Sequence, residues 1–249
     1  MNSPGRGHVY DVAIVGAGIC GTEAALGCAK AGLDVLLVTT ILDTCYNLAG
    51  ERARLESPVD TFMAKAVAKV ADEENFVSSW ELHRAAKYEL EHTPGIHFLQ
   101  SSVSSLIVEG SSVVGIDTWE GVPRYAKNVA LCVGSFLEAR LTIGSLTEQA
   151  GRLSEMAYDD LYLDLLARGF NFETLRLKAE SINDSPTYTV DCQVLKDEIE
   201  PNNFAAQRLK NLYAAGTCAF GYVMYEEAAR QGQGLAERLI AEGSVRSAD

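Results

Sequence analysis

Short runs of apolar residues alternate with segments of helical period along most of this chain. "DVAIV" (11–15) is almost wholly apolar and predicts a strand buried on both faces. From Ile19 the apolar positions recur at helical spacing to Ala31, with alanines and Gly27 leaving a thin side, and Gly32 stands where a left-handed cap closes a helix. "DVLLV" (34–38) predicts a second buried strand. Residues 59–72 and 79–92 carry the helical period again, the latter opened by Ser78 and Glu81 at capping-box spacing. After "IHFLQ" the pattern turns to alternation in "SSLIVEG", "SVVGIDTWEG" and "VPRYAKNVALCVG", separated by glycine-containing turns, which predicts a β-meander ahead of a last core strand at Ala130–Val133. Leu161, Leu165 and Leu166 mark a helix stopped by Gly169, and "KAESINDSPTYTVDC" (178–192) reads as a loop covering the site. Leu212–Ala215 is a late buried strand, and a loop from Gly216 leads into a helix beginning near Tyr225 or Glu226.

This order of elements predicts an α/β fold: a doubly wound, mostly parallel, Rossmann-like sheet with a β-meander and a small inserted segment. One domain is expected over 1–249, with its core in 9–134 and 205–245 and the insertion, a cap or substrate segment, in 135–204. Composition narrows the function classes. The chain is 47% hydrophobic and carries a formal net charge of −13, which disfavours a broad phosphate-binding face and so a nucleic-acid partner. No apolar run reaches the roughly 18 residues that span a bilayer, so a cytoplasmic protein without membrane contact is expected. The six cysteines form no CxxC pair and no ligand cluster with the four histidines; reduced core thiols and no metal are expected.

The candidate chemistry lies in the glycines. Gly16, Gly18 and Gly21 follow the first strand and open the first helix, the context in which GxGxxG binds a dinucleotide. Gly16 allows the tight turn, Gly18 lets backbone approach a diphosphate, and Gly21 lets helix and strand pack closely, while the first-turn amides around Ile19 and Cys20 face the anion with the helix dipole behind them. The second strand ends in Thr39 and Thr40, where an NAD site usually has an acid for the ribose; Asp43 lies slightly beyond. That argues against NAD, although an NAD-dependent dehydrogenase stays as an alternative. The late strand, ending at Gly216 and Thr217, and the helix opening with Tyr225, Glu226, Glu227 and Ala228 bring a second helix end to the first, as in flavoproteins, where such elements close around the flavin half of FAD. Val103 is expected near the adenine and Gly134 at the end of the core strand. Cys45, in the loop after the second strand, is the candidate catalytic thiol; Cys218 is a weaker one. Arg52, Arg54 and Arg140 read either as anion contacts or as a solvated face, the latter favoured, and the histidines are given no role.

Taken together, "YDVAIVGAGICGTEAAL", "LLVTTILDT", "ALCVGSFLEARLTIG" and "LYAAGTCAFGYVMYEEAARQG" resemble the glucose-inhibited division protein A family, FAD-dependent enzymes that modify the wobble uridine of tRNA, and their folate-dependent methyltransferase relatives. The resemblance covers residues 10–145 and 205–240. It implies FAD as cofactor, an oxidoreductase function and tRNA as a partner, with a non-catalytic FAD-binding partner subunit or a homodimer as other outcomes and the electron donor and acceptor open. Departures accompany it. The chain reads "LDTCYNLAGERARLE" where the family has a longer loop with a cysteine ahead of Asn-Pro, so Cys45 matches that cysteine loosely; Met224 replaces a glycine, and the loop from Gly216 to Tyr225 is one residue longer. About 70 residues stand where the family places a nicotinamide and substrate domain, and a chain without the family's helical tail is expected.

Overall fold

The computed structural model describes residues 5, 7–56, 58–179 and 187–246, the last three of these for backbone alone. Along the chain run β1 (Val9–Val15), α1 (Ile19–Lys30), β2 (Val35–Thr39), β3 (Arg52–Arg54), α2 (Phe62–Val70), β4 (Phe76–Ser78), α3 (Ser79–His92) and β5 (Ile96–Gln100). The meander β6 (Val103–Glu109), β7 (Ser112–Thr118) and β8 (Pro123–Leu131) follows. The inserted segment holds β9 (Arg140–Ile143), β10 (Leu146–Glu148), β11 (Ala150–Arg152), β12 (Glu155–Met156), α4 (Asp160–Ala167), β13 (Glu173–Ala179) and β14 (Tyr188–Val194). The chain returns to the core through β15 (Leu212–Ala214), α5 (Thr217–Phe220) and α6 (Tyr225–Arg246).

The central sheet is the α/β, mostly parallel, Rossmann-like arrangement expected. β5, β2, β1, β8 and β15 lie side by side in that order, all parallel, and β7 and β6 extend it antiparallel from the first half of β8. Strand alternation sorts β1 between two cores: Val12 and Ile14 join the helices α1, α2, α3 and α6, whereas Ala13 and Val15 join the meander, α4 and α5. Two close crossings set how α6 lies on α1. A Cβ at Gly232 would stand 2.3 Å from the Cys20 carbonyl oxygen, and one at Gly27 would stand 2.7 Å from the Ala236 Cβ. Glu23 ties the same layer together. Its carboxylate, 5% exposed, accepts from Tyr46 Oη (2.5 Å) and from the Phe62 and Met63 amides at the start of α2 (2.9 and 2.8 Å).

Four local readings change. The meander's third run and the last core strand are one strand, β8; its first half alternates in burial, beside β7, and its second half is buried throughout, between β1 and β15. The Ser78 hydroxyl does not cap α3; Ser79 Oγ instead accepts the Leu48 amide at 3.0 Å. The segment 178–192 is not a loop at its ends, since Lys178–Ala179 and Tyr188–Cys192 belong to the β13–β14 hairpin; residues 180–186 lie outside the described residues. The stretch after Gly216 contains a single helical turn, α5. Gly32, by contrast, has φ +88° beyond α1, the left-handed cap expected of it.

In the inserted segment, β10, β9, β14 and β13 form a four-stranded sheet around its own small core of Ala139, Leu141, Val190 and Cys192. Its helix α4 packs elsewhere, with Leu161 and Leu165 in the core under the meander. No helix among the described residues is long and apolar enough to cross a membrane.

Candidate functional site

A parallel doubly wound sheet binds ligands outside the carboxyl ends of its strands, at the point where successive connections leave in opposite directions. Here that point is β1, with β2 on one side and β8 on the other. A cavity of about 630 Å³ opens there. The residues at the carboxyl ends of all five parallel strands line it: Val15, Thr39, Ser101, Cys132 and Ala215.

The three glycines divide the work as their spacing predicts. Gly16 has φ +105°, and a Cβ there would lie 2.3 Å from the Cys132 carbonyl oxygen, so the turn after β1 can close against the end of β8 only without a side chain. A Cβ at Gly21 would be 1.9 Å from the Gly16 oxygen; it packs beneath the cradle and does not line the cavity. Gly18 is the opposite case, since nothing in the protein lies within 4 Å of where its Cβ would be. It faces the cavity. As N-cap of α1 it offers no side-chain acceptor, so the first-turn amides at Ile19 and Cys20 stand uncapped beside that space.

Gly134, Thr39, Thr40 and Val103 also line the cavity, as do Gly216, Thr217, Tyr225 and Ala228 from the late segment. Early and late parts of the chain therefore share one wall. The two approach closely, the Cys20 Cβ standing 3.4 Å from where Gly216 would carry a Cβ. The Gly216 amide itself donates to Gln231 Oε1 at 2.9 Å, which fixes the end of β15 to α6.

Three further candidates fall elsewhere. Glu226 and Glu227 do not line the cavity. Glu226 Oε1 accepts the Glu56 amide at 3.0 Å, and Glu227 pairs with Arg230 at 3.1 Å. With Tyr225 Oη accepting the Ala49 amide at 2.8 Å, the first turn of α6 clasps the loop that follows β2. Cys45 is the larger correction. It is 1% exposed, off the cavity wall, with its Sγ 3.6 Å from His83 Nδ1, and burial pushes its thiol up to about 12. His83 Nδ1 stands 2.8 Å from the Cys45 carbonyl oxygen, so this pair is a core contact. Arg52, Arg54 and Arg140 lie off the wall as well; Arg140 is held by Asp159 at 2.6 Å, and the same contact keeps the Asp159 carboxyl below its usual range.

Some wall residues lie outside the sequence-based expectation. Ser101 is recoverable from sequence, because it follows a parallel strand. Arg152 and Glu155 are not, since they sit in a two-strand hairpin with no periodic signal. Their ion pair (2.6 Å) faces the cavity from the inserted segment; Glu155 Oε2 accepts from Thr44 Oγ1 at 3.1 Å, and Arg152 Nη1 donates to the Asn47 carbonyl at 3.0 Å. The insertion thereby fastens to the loop after β2. Among the described residues no group of three His, Cys, Asp or Glu side chains is placed to hold a metal ion.

Comparison with known proteins places this geometry. The glucose inhibited division protein A family matches residues 11–55 and 64–193. The tRNA uridine 5-carboxymethylaminomethyl modification enzyme MnmG of Chlamydia abortus is 32% identical over 210 residues, covering 72% of this chain and 34% of that protein. The chain spans about a third of the length of such curated relatives. The crystal structure of the GidA-related protein from Thermus thermophilus superposes with a TM-score of 0.85 at 36% identity, covering 94% of this chain and all of that one. Aquifex aeolicus GidA shares the fold at 16% identity, with a TM-score of 0.83 over 94% of this chain and 64% of that one.

Proposed function

Because this chain belongs to the glucose-inhibited division protein A family, whose members bind FAD, its cofactor is FAD, and we propose that it is an FAD-dependent oxidoreductase of tRNA uridine modification or of a reaction derived from it. The residues present suit the cofactor. Gly18 leaves open space, with no protein atom within 4 Å of where a Cβ would stand, beside uncapped helix amides and inside a cavity reached by both halves of the chain. That is the observation on which the reading rests.

Gly16 to Cys20 would hold the diphosphate; Thr39, Thr40, Ser101 and Val103 the adenosine side; Gly216, Thr217 and Tyr225 the other half. When bound, the flavin supplies two-electron redox chemistry. The chain's own part is to fix its position, exclude water with the inserted segment, and present the Arg152–Glu155 pair as the buried charged group of the wall. With a net charge of −13, contact with tRNA would depend on local basic side chains; those the insertion brings to this wall are Lys178 and the ion-paired Arg152 and Arg176.

The absorption spectrum of the purified protein tests the cofactor, and photoreduction followed by reoxidation tests turnover. Flavin bands that bleach and return with an acceptor are expected. A colourless preparation that takes up no added FAD overturns the reading, and bound flavin that cycles with no acceptor makes the chain a passive FAD-binding subunit. Filter binding to tRNA should weaken steeply with salt if the RNA is a true partner.

A further inference from the structure

All six cysteines are buried free thiols, yet two of them line the cavity: Cys20, in the first turn of α1, and Cys132, directly after β8. Their Sγ atoms are 4.0 Å apart, although 112 positions separate them in sequence. The remaining four lie off the wall; burial pushes the thiols of Cys28, Cys45 and Cys218 up to about 12 and that of Cys192 to about 11, and the hydrogen bond with Cys20, together with burial, raises that of Cys132 as well.

The pair forms the floor of the glycine cradle. The Cys132 carbonyl oxygen would stand 2.3 Å from a Gly16 Cβ, its own Cβ 3.1 Å from a Gly21 Cβ, and the Cys20 Cβ 3.4 Å from one at Gly216. The backbone at Gly16, Gly21 and Gly216 thus lies close against one of the two cysteines. A disulfide bond is about 2.05 Å long, so joining these sulfurs draws them together by about 2 Å. Rotation about the two Cα–Cβ bonds takes up part of that approach, and the remainder falls on the packed backbone to which the side chains are attached. It moves the first turn of α1 against the end of β8, and the amides that face the diphosphate move with it.

We propose that Cys20 and Cys132 are a redox-sensitive thiol pair, and that their oxidation to a disulfide by hydrogen peroxide deforms the cradle and weakens its hold on FAD. The Cys20 sulfur attacks the peroxide O–O bond, giving a sulfenic acid and water. The Cys132 sulfur then displaces hydroxide from that sulfenic acid and its proton completes a second water. In sum, two thiols and one peroxide give one disulfide and two waters, sulfur losing the two electrons that peroxide gains. The inference rests on the diphosphate reading of this cradle.

The test uses the full chain, reduced and freed of cofactor. Titration with FAD comes first and checks the cofactor reading by itself: binding is expected, and its absence defeats that reading and this one together. After one equivalent of peroxide, the titratable thiols should fall from six to four, peptide mapping should find Cys20 joined to Cys132, and FAD affinity should drop at least tenfold and return with dithiothreitol. FAD bound beforehand should slow the loss of thiols. Cys132→Ser should make the affinity of the protein, whatever its own value, indifferent to peroxide; Cys20→Ser gives the same answer should the first variant not fold. No link, a link to another cysteine, or a Cys20–Cys132 link that leaves FAD affinity unchanged in protein that binds FAD when reduced overturns the proposal and leaves the cofactor reading standing.

Discussion

Gly18→Ala separates the ligand cradle from the fold that carries it. The backbone at Gly18, φ −69° and ψ −173°, is open to any residue, and a Cβ there meets no protein atom within 4 Å. Two small opposing terms bear on stability. Removing glycine's freedom from the unfolded chain favours the variant by about 0.4–1 kcal/mol, while alanine is the poorer N-cap by roughly 0.5–1 kcal/mol. The cofactor-free variant should therefore unfold within about 1 kcal/mol of the parent, roughly 2–4 °C in a chain of this size. FAD affinity should respond quite differently. The methyl group takes the space a diphosphate needs to reach the first-turn amides, and losing one hydrogen bond to a charged group costs about 1.5–3 kcal/mol. At about 1.4 kcal/mol per decade, the dissociation constant rises about 10- to 150-fold. Quenching of FAD fluorescence measures that constant, and circular dichroism on heating measures the stability. A variant that binds FAD as tightly as the parent would place the diphosphate away from Gly18.

Gly232→Ala tests the opposite situation, because its Cβ would lie 2.3 Å from the Cys20 oxygen and 2.7 Å from the Glu23 Cβ. Overpacking against backbone should destabilise by about 2 kcal/mol or more, and an unchanged urea midpoint would deny the close crossing of α1 and α6. Glu198, 6% exposed, is held below the usual carboxylate range first by its hydrogen bonds from Arg208 (2.6 and 2.8 Å), with Asn171 adding two more. A depressed folded-state pKa gives stability that is complete above the unfolded value near 4.5 and is lost as the pH falls below it. Glu198→Gln should thus cost roughly 2 kcal/mol at pH 7 and much less near pH 3, as read by urea unfolding at both; an equal cost at the two would remove the charge from the argument. Cys45→Ala should lose about 1 kcal/mol of stability and leave photoreduction of bound FAD intact, whereas folded protein that no longer cycles would return this thiol to the chemistry.

Much of the site can be read along the chain because its parts obey local rules. The glycine spacing works within six residues, and the positive φ at Gly16 and the open space at Gly18 are what that spacing prescribes. The late segment is legible because a short apolar strand ending in glycine is a local pattern too. Readings fail where a side chain has two local options. Glu226 and Glu227 suit a helix's first turn whether they face a ligand or tie down a loop, and the structure uses Glu226 for the loop. Cys45 lies in a loop that reaches the cavity through Asn47 and Ala49, yet its own side chain turns into the core. The β13–β14 hairpin is open to a linear reading, since Leu175, Leu177 and Ala179 and then Tyr188, Val190, Cys192 and Val194 alternate with polar residues; the polar sequence between the two runs draws the whole stretch into a loop.

The core strands and helices, their order and the glycine cradle follow from the linear chain, because hydrophobic period and glycine conformation are properties of a few adjacent residues. It takes the assembled fold to bring Cys20 to Cys132, to carry Arg152 to the Asn47 carbonyl 105 positions away, and to make the insertion the source of the wall's buried charge. Such meetings depend on the order of strands in the sheet and on the angle at which α6 crosses α1. Both are set by the packing of whole faces against each other, which no short window of residues records.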